Sequence, residues 1–229
     1  MDNISITALM PMKENSERLP NKNIKLFNGK PLYQAVLSTL TKSKYIKEII
    51  INTDIESILL SPEVHEKVKI IERPNNLRDD FVPFFDIIEY DMSLTSSNLF
   101  LQTHATNPIL QTKTIDNAIL EFYKNESCDS LLGVNKHNKR AYYSDKNPVN
   151  HDVHDKLLRT QDLEPIYIDS SCLYIFSRES FCKSENHRIG LNPHFFEMDE
   201  IESIDIDYEK DFLFAEMISK DMKTYFKKE

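Results

Sequence analysis

Five cations crowd one short stretch of an otherwise acidic chain. Lys13, Arg18, Lys22, Lys25 and Lys30 lie within residues 13–30, opposed there only by Glu14 and Glu17, although the 229 residues carry a formal net charge of −9. Asn15, Ser16 and Asn23 add side-chain donors between them. A loop offering ammonium groups, amides and backbone N–H groups suits a polyphosphate, and the same composition also describes a solvated, lysine-rich surface. Far along the chain stands a second candidate, Ser203-Ile-Asp-Ile-Asp207. In an extended segment alternate side chains share a face, so Asp205 and Asp207 would point together, opposite Ile204 and Ile206. Two convergent carboxylates are hard oxygen donors of the kind Mg²⁺ takes alongside phosphate and water. A solvated edge strand, or Asp207 as the N-cap of a following helix, accounts for the same residues.

These groups need a scaffold, and the chain alternates strand-like with helix-like segments. Ile4–Met10, Glu48–Asn52, Val68–Ile71, Leu99–Gln102, Ser130–Val134 and Cys172–Phe176 read as strands. Leu32–Leu40, a short stretch from Asp54, Phe84–Thr95 and Thr112–Lys124 read as helices, and Ile204–Asp207 reads as a last strand before a closing helix from Tyr208. Repeated β–α units predict a mostly parallel sheet covered on both faces, with ligands beyond the carboxyl ends of the strands. The cationic loop follows the first strand, where a ligand-binding loop belongs. Residues 136–165 break the pattern: they are polar and aperiodic, and too long for an ordinary connection. A single domain over residues 1–229 with a protruding insert at about 136–165 is the expectation.

Composition narrows the choices. Only Gly29, Gly133 and Gly190 are glycines, so neither a G-x-G-x-x-G turn nor a glycine-rich P-loop can form. Where a phosphate loop needs a left-handed residue, Asn15 or Asn21 would supply it, and Asn28-Gly29 would make the turn before the helix entered at Pro31. The acidic balance argues against general nucleic-acid or anionic-membrane binding. Cys128, Cys172 and Cys182 imply no disulfide framework and suggest a cytoplasmic protein, and no segment has the length or flanks of a signal peptide or membrane span.

The run Lys13-Glu-Asn-Ser-Glu-Arg-Leu-Pro-Asn-Lys-Asn23, followed by Asn28-Gly-Lys-Pro-Leu32, resembles the nucleotide loop of the acylneuraminate cytidylyltransferases. Those enzymes activate sialic-type acidic sugars with CTP. The likeness continues in order through Ile51-Asn-Thr-Asp54, Glu72-Arg-Pro74 with Asp79-Asp80, Gln102 to Pro108, Arg159-Thr-Gln-Asp-Leu163 and Ser203 to Asp207. It implies a Rossmann-like, three-layer nucleotidyltransferase fold and a Mg²⁺-dependent transfer of CMP from CTP to an acidic sugar, with pyrophosphate released. It also implies a homodimer, in which the insert would bury Tyr142, Tyr143, Leu157 and Leu158 against the neighbour. By the same resemblance, Lys22 stabilises charge on the transferring phosphoryl group. Lys13, Asn15, Ser16, Asn23 and Arg73 hold the nucleotide, Asp205 and Asp207 hold the metal, and Asp207 also orients the acceptor. Gln102 and Arg159 are the implied acceptor contacts.

The departures fall mostly on the acceptor side. Lys13 stands for an arginine, keeping charge but losing the planar fork. Ile168-Asp-Ser-Ser-Cys-Leu-Tyr174 replaces a segment resembling R-x-N-G-A-I-Y and brings in Asp169. A different small acidic acceptor therefore stays open, as do a glycosyltransferase using Asp205-Ile-Asp207 as D-x-D and a catalytically silent protein of the same fold. Among weaker signals, His151-x-x-His154 with Asp152 and Asp155 reads as a solvated loop rather than a metal site. His104 lies in a loop that could touch substrate. Asp54 either faces the cleft or caps a helix, and Phe81, Phe84 and Phe85 read as core.

Overall fold

Seven strands form one sheet in the order β5-β4-β1-β6-β8-β7-β9. The computed structural model describes residues 4–61, 65–152, 154 and 158–225, with side chains to residue 221. In chain order the elements are β1 (Ile6–Leu9), β2 (Leu26–Phe27), β3 (Lys30–Pro31), α1 (Tyr33–Lys42), β4 (Ile46–Thr53), α2 (Glu56–Leu59), β5 (Val68–Glu72), α3 (Phe84–Ser93), β6 (Leu99–Thr103) and α4 (Thr112–Lys124). They continue with β7 (Ser130–His137), β8 (Ile166–Ser177), α5 (Arg178–Lys183), β9 (Pro193–Glu197) and α6 (Glu209–Tyr225). The pairs β4–β5, β1–β4, β1–β6 and β7–β9 are parallel, whereas β8 runs antiparallel to both β6 and β7.

Burial on both faces explains the apolar runs. Ile6 and Ala8, Ile49 and Ile51, Leu101 and Ile175 point to one side, where Val36 and Leu40 of α1 and Ile115 and Ile119 of α4 cover them. Leu9, Ile50, Phe100, Tyr174 and Phe176 point to the other, against Ile88 and Met92 of α3 and Phe181 of α5. Strands sandwiched in this way lose the polar alternation of a one-sided sheet. The expected three layers and mostly parallel sheet are present.

A third cluster matters most for function. Leu19 of the cationic loop, Phe27, Leu32, Ile109, Ile206, Phe212 and Ala215 pack together. They join the β2–β3 hairpin, the segment before α6 and α6 itself into one support. Fully burying a side chain such as Ile206 contributes roughly 2 kcal/mol. The hairpin turns on Asn28 (φ 49°) and Gly29 (φ 80°), the left-handed pair a two-residue turn demands, as the sequence led us to expect.

Four expectations need correction. Ile204–Asp207 is not a strand: it is an extended segment tied by Ile206 N–H to Thr106 O at 2.9 Å and by Asn107 Nδ2 to Ile204 O at 3.4 Å. β7 continues through His137, paired with Ile166 at the start of β8, so the irregular insert begins two residues later than expected. Helix α5 and strand β9 were not foreseen. Phe81 is 94% exposed rather than core, although Phe84 and Phe85 do pack on the sheet.

The insert is organised by its own polar contacts. Asn150 Nδ2 bridges Lys139 O at 3.0 Å and Glu164 O at 2.8 Å, and Tyr142 lies against His151 with its hydroxyl 3.0 Å from Nε2. Tyr142, Tyr143 and Leu158 are exposed in the single chain, and Leu157 and Asp155 lie outside the described residues.

Candidate active site

The carboxyl ends of β1, β4, β5 and β6 lie side by side, and the chain leaves each of them into the same cleft. Met12 N–H donates to Asn52 O at 2.9 Å and Arg73 N–H to Thr53 O at 2.8 Å, so the exits are stitched together by backbone bonds. Pro11, Met12, Lys13, Lys22, Asn23, Arg73, Phe84, His104 and Thr106 are among the residues around a cavity of about 250 Å³. A second cavity of about 300 Å³ lies among Lys13, Asn15, Ser16, Arg18, Lys22 and Asn23. Lys13, Lys22, Asn23 and Asp80 border both, making one continuous cleft with a cationic end.

The cationic loop is held without glycine. Asn21 adopts φ 56°, ψ 24°, the left-handed region that asparagine tolerates, immediately before the turn Lys22–Ile24. Buried Asn23 donates through Nδ2 to Lys13 O at 2.9 Å, folding the two ends of the loop together. Asp54 neither caps a helix nor stands free: its Oδ1 accepts the backbone N–H of Glu14 at 2.8 Å, while Ile55 occupies the N-cap of α2. Lys13 pairs with Asp80 across the cleft at 2.7 Å.

Beneath the loop lies a buried polar floor. Arg73 donates from Nε to Asn52 Oδ1 at 3.0 Å, and from Nη2 to Met12 O at 2.8 Å and Asn52 O at 3.1 Å. Asn52 Nδ2 in turn donates to Asp91 Oδ1 at 2.5 Å. Burial lowers the Arg73 pKa, with Asp54 and Asp91 opposing the shift. Burial pushes Asp91 up to about 7, against the Asn52 hydrogen bond and the Arg73 charge, and its Oδ2 has no partner. Arg73 therefore fixes the backbone that presents Lys13 while also lining the cleft.

The two aspartates meet the loop from the other side. Lys22 Nζ donates to Ile206 O at 2.8 Å and lies 3.3 Å from Asp207 Oδ1, and Arg18 Nη2 reaches the same oxygen at 2.7 Å. The N–H groups of Asp207 and Tyr208 donate to Asp211 Oδ2 at 3.2 and 2.8 Å, so Asp211 closes the entry to α6 and leaves the Asp207 carboxylate to the cations. The pKa of Asp205 is raised, first by burial and then by the charge of Asp207, against a hydrogen bond from Thr106. Its Oδ1 is buried without a partner. An orphaned carboxylate oxygen beside a second carboxylate is a donor set that fits a hard divalent cation. Among the described residues no cluster of three or more His, Cys, Asp or Glu offers a complete protein cage.

The acceptor candidates are not brought together. Gln102 is fully buried; its Nε2 donates to Thr103 O at 3.0 Å and lies 3.2 Å from His104 Nε2, while its Oε1 accepts from Arg188. Arg159 is 73% exposed in the insert, paired twice with Asp162 at 2.7 and 3.0 Å. His104 stacks near Phe84, with ring centroids 5.6 Å apart, and burial with the charges of Arg188 and Lys22 lowers its pKa to about 3. It is a neutral imidazole at pH 7. Arg188 was not singled out from the sequence, because it sits in the loop before the unforeseen β9 and nothing local marks it.

A family model described as cytidylyltransferase matches residues 7–228, nearly the whole chain. The chain belongs to the cytidylyltransferase family. Its relatives include an N-acylneuraminate cytidylyltransferase of Streptococcus agalactiae serotype III, 24% identical over 216 residues, 90% of this chain and 51% of that protein. The chain thus spans about half the length of that relative. A pseudaminic acid cytidylyltransferase of Campylobacter jejuni is 25% identical over 225 residues, 93% of this chain and 95% of that one. Among solved structures, the CTP complex of a CMP:2-keto-3-deoxy-manno-octonic acid synthetase superposes with a TM-score of 0.67 at 10% identity, covering 95% of this chain and 99% of the other. A 4-diphosphocytidyl-2C-methyl-D-erythritol synthase from Anaerococcus prevotii gives 0.65 at 12% identity, covering 96% and 98%. These likenesses establish the Rossmann-like nucleotidyltransferase fold expected from the sequence. In this cytidylyltransferase-family chain the cationic loop lines the cleft at the carboxyl edge of the sheet, and its Arg18 and Lys22 both reach Asp207.

Proposed function

We propose that this protein transfers CMP from CTP to an acidic sugar of the nonulosonic type, releasing pyrophosphate. The observation that carries the reading is the meeting of Lys22, which borders both cavities, with Asp207 at 3.3 Å across 185 residues of chain. The names of the relatives, which concern acylneuraminate and pseudaminate activation, support the acceptor class.

In the reaction, an acceptor hydroxyl oxygen bonds to the α-phosphorus of CTP. The bond from that phosphorus to the α–β bridging oxygen breaks, pyrophosphate departs with the bonding electrons, and the hydroxyl proton passes to a base. Such displacement depends mainly on positioning and on cations placed where negative charge develops. Lys13, Asn15 and Ser16 line the end of the cleft suited to the triphosphate, and Asn23 and Arg73 order the floor beneath the nucleotide. Lys22, held by Ile206 O, is the cation for the transferring phosphoryl group. Asp205 and Asp207 would hold Mg²⁺, which when bound would screen phosphate charge as a Lewis acid. Asp207 would also orient the acceptor. Gln102 and Arg159 remain proposed acceptor contacts, with Arg159 reaching a site only if the insert packs on a second copy. A homodimer of that kind would cover Tyr142, Tyr143 and Leu158. Three unbonded cysteines fit a reducing, cytoplasmic compartment. No helix among the described residues is long and apolar enough to cross a membrane.

The test is pyrophosphate release from CTP, ATP, GTP and UTP with Mg²⁺ across a panel of 2-keto sugar acids. Strict CTP dependence with at least one acid is expected. Preference for another nucleotide would overturn the cytidine assignment, and silence across the panel would favour a binding protein.

A further inference from the structure

Arg188 is a half-buried cation whose Nε is left without a partner. Its guanidinium carbon lies 3.5 Å from the centroid of the Tyr174 ring and 5.4 Å from that of Phe84. One Nη donates to Gln102 Oε1, whereas Nε is buried and has no hydrogen-bond partner. Arginine carries five N–H donors and cannot discard its charge as lysine can. Burial lowers its pKa, and the charges that oppose this belong to Tyr174 and Asp169. Asp169 forms no ion pair with it: its two oxygens accept the Tyr174 hydroxyl at 2.7 and 2.9 Å. Among the described residues no carboxylate forms an ion pair with Arg188. A partly desolvated guanidinium resting on aromatic faces, with an unpartnered Nε, is prepared for an anion from outside the protein.

Its position indicates which anion. Phe84 and His104, its neighbours directly or through Gln102, both line the nucleotide cleft. Arg188 therefore stands directly behind the part of the cleft wall made by Phe84 and His104. The sequence here lacks the arginine expected in the segment ending at Tyr174, and Arg188 reaches the Tyr174 ring from a different part of the chain. We propose that Arg188, positioned by Gln102, binds the carboxylate of the acceptor. This rests on the acidic-acceptor reading of the preceding section. Planar guanidinium and planar carboxylate match bidentately, and Gln102 holds the fork in register. Selection for a 2-keto acid over its uncharged analogue follows from the need to pair this charge.

The test measures binding separately from turnover. Calorimetric titration uses N-acetylneuraminic acid, 2-keto-3-deoxy-manno-octonic acid and their carboxamides, with wild type, Arg188→Gln and Arg188→Lys. An acid that binds wild type is expected to weaken at least tenfold in Arg188→Gln and by an intermediate factor in Arg188→Lys. Its carboxamide is expected to bind wild type and Arg188→Gln alike. CTP binding within twofold of wild type shows that the cleft is intact. Should Arg188→Gln fail to fold, Arg188→Lys carries the comparison. Equal acid affinity across the variants, or no binding of either acid to wild type, overturns the proposal. Acid binding that depends on Arg188 in a protein releasing no pyrophosphate would retain the anion site and reject the transferase reading, so the two failures are distinct.

Discussion

Replacing Asp91 by asparagine should remove a pH dependence of stability lying between about pH 4 and pH 7. In the folded protein Asp91 is raised from 3.8 to about 7, chiefly by burial, so the native state keeps its proton where the unfolded chain has lost it. The unfolded state then binds fewer protons across that window, and stability must fall as pH rises through it. The contribution is fully present below the unfolded pKa and is exhausted above about 7. Three units at 1.36 kcal/mol each set an upper bound of roughly 4 kcal/mol. Asparagine preserves the oxygen that accepts Asn52 Nδ2, and so keeps Arg73 supported while deleting the titration. Urea denaturation of both proteins at pH 5, 6, 7 and 8 and constant ionic strength isolates the difference. The wild type should lose stability relative to Asp91→Asn from pH 5 to 7, with the gap constant above. Parallel curves over the whole range would refute the buried-floor reasoning.

Other perturbations probe other parts of the cleft. Lys22→Ala should lower kcat on the order of 10²- to 10³-fold, as loss of a cation at the transferring group does. The lost hydrogen bond to Ile206 O should cost only about 1 kcal/mol in urea melts, and wild-type-like turnover in this variant or in Asp207→Asn would contradict the assigned roles. Chelation with EDTA should abolish pyrophosphate release and added Mg²⁺ restore it; activity persisting in EDTA would remove Asp205 and Asp207 from a metal role. Gly190→Ala should destabilise by about 1–3 kcal/mol, since its Cβ would overlap the Asp129 carboxylate that accepts Leu191 and Asn192 N–H at 2.7 and 3.0 Å. An unchanged melting temperature in that variant would refute the packing argument.

Local patterns in the sequence carried the central sheet and the nucleotide end of the site. Runs such as Glu48–Asn52 and Leu99–Gln102 are apolar because both faces are covered, and the loop after β1 announces itself by concentrating lysines within a few residues. What remained hidden depends on distant contacts. Ile204–Asp207 alternates like a strand, yet Thr106 and Asn107 engage it at single points, so it extends without joining the sheet. β9 holds only five residues at a sheet edge and begins with proline after the polar Asn192, which left its period-2 signal weak. Phe81 is hydrophobic but follows the turn in which its N–H binds Asp79 Oδ1 at 2.8 Å, and this places it in solvent. Arg188 carries no local mark because Phe84, Gln102 and Tyr174 come from three separate elements.

The most direct measurement is ³¹P NMR of the purified protein with CTP, Mg²⁺ and a 2-keto sugar acid. The account predicts a new phosphodiester resonance of a CMP–sugar conjugate growing in equal proportion to pyrophosphate as CTP disappears. Formation of CDP with orthophosphate, or of free CMP without a sugar conjugate, would contradict it.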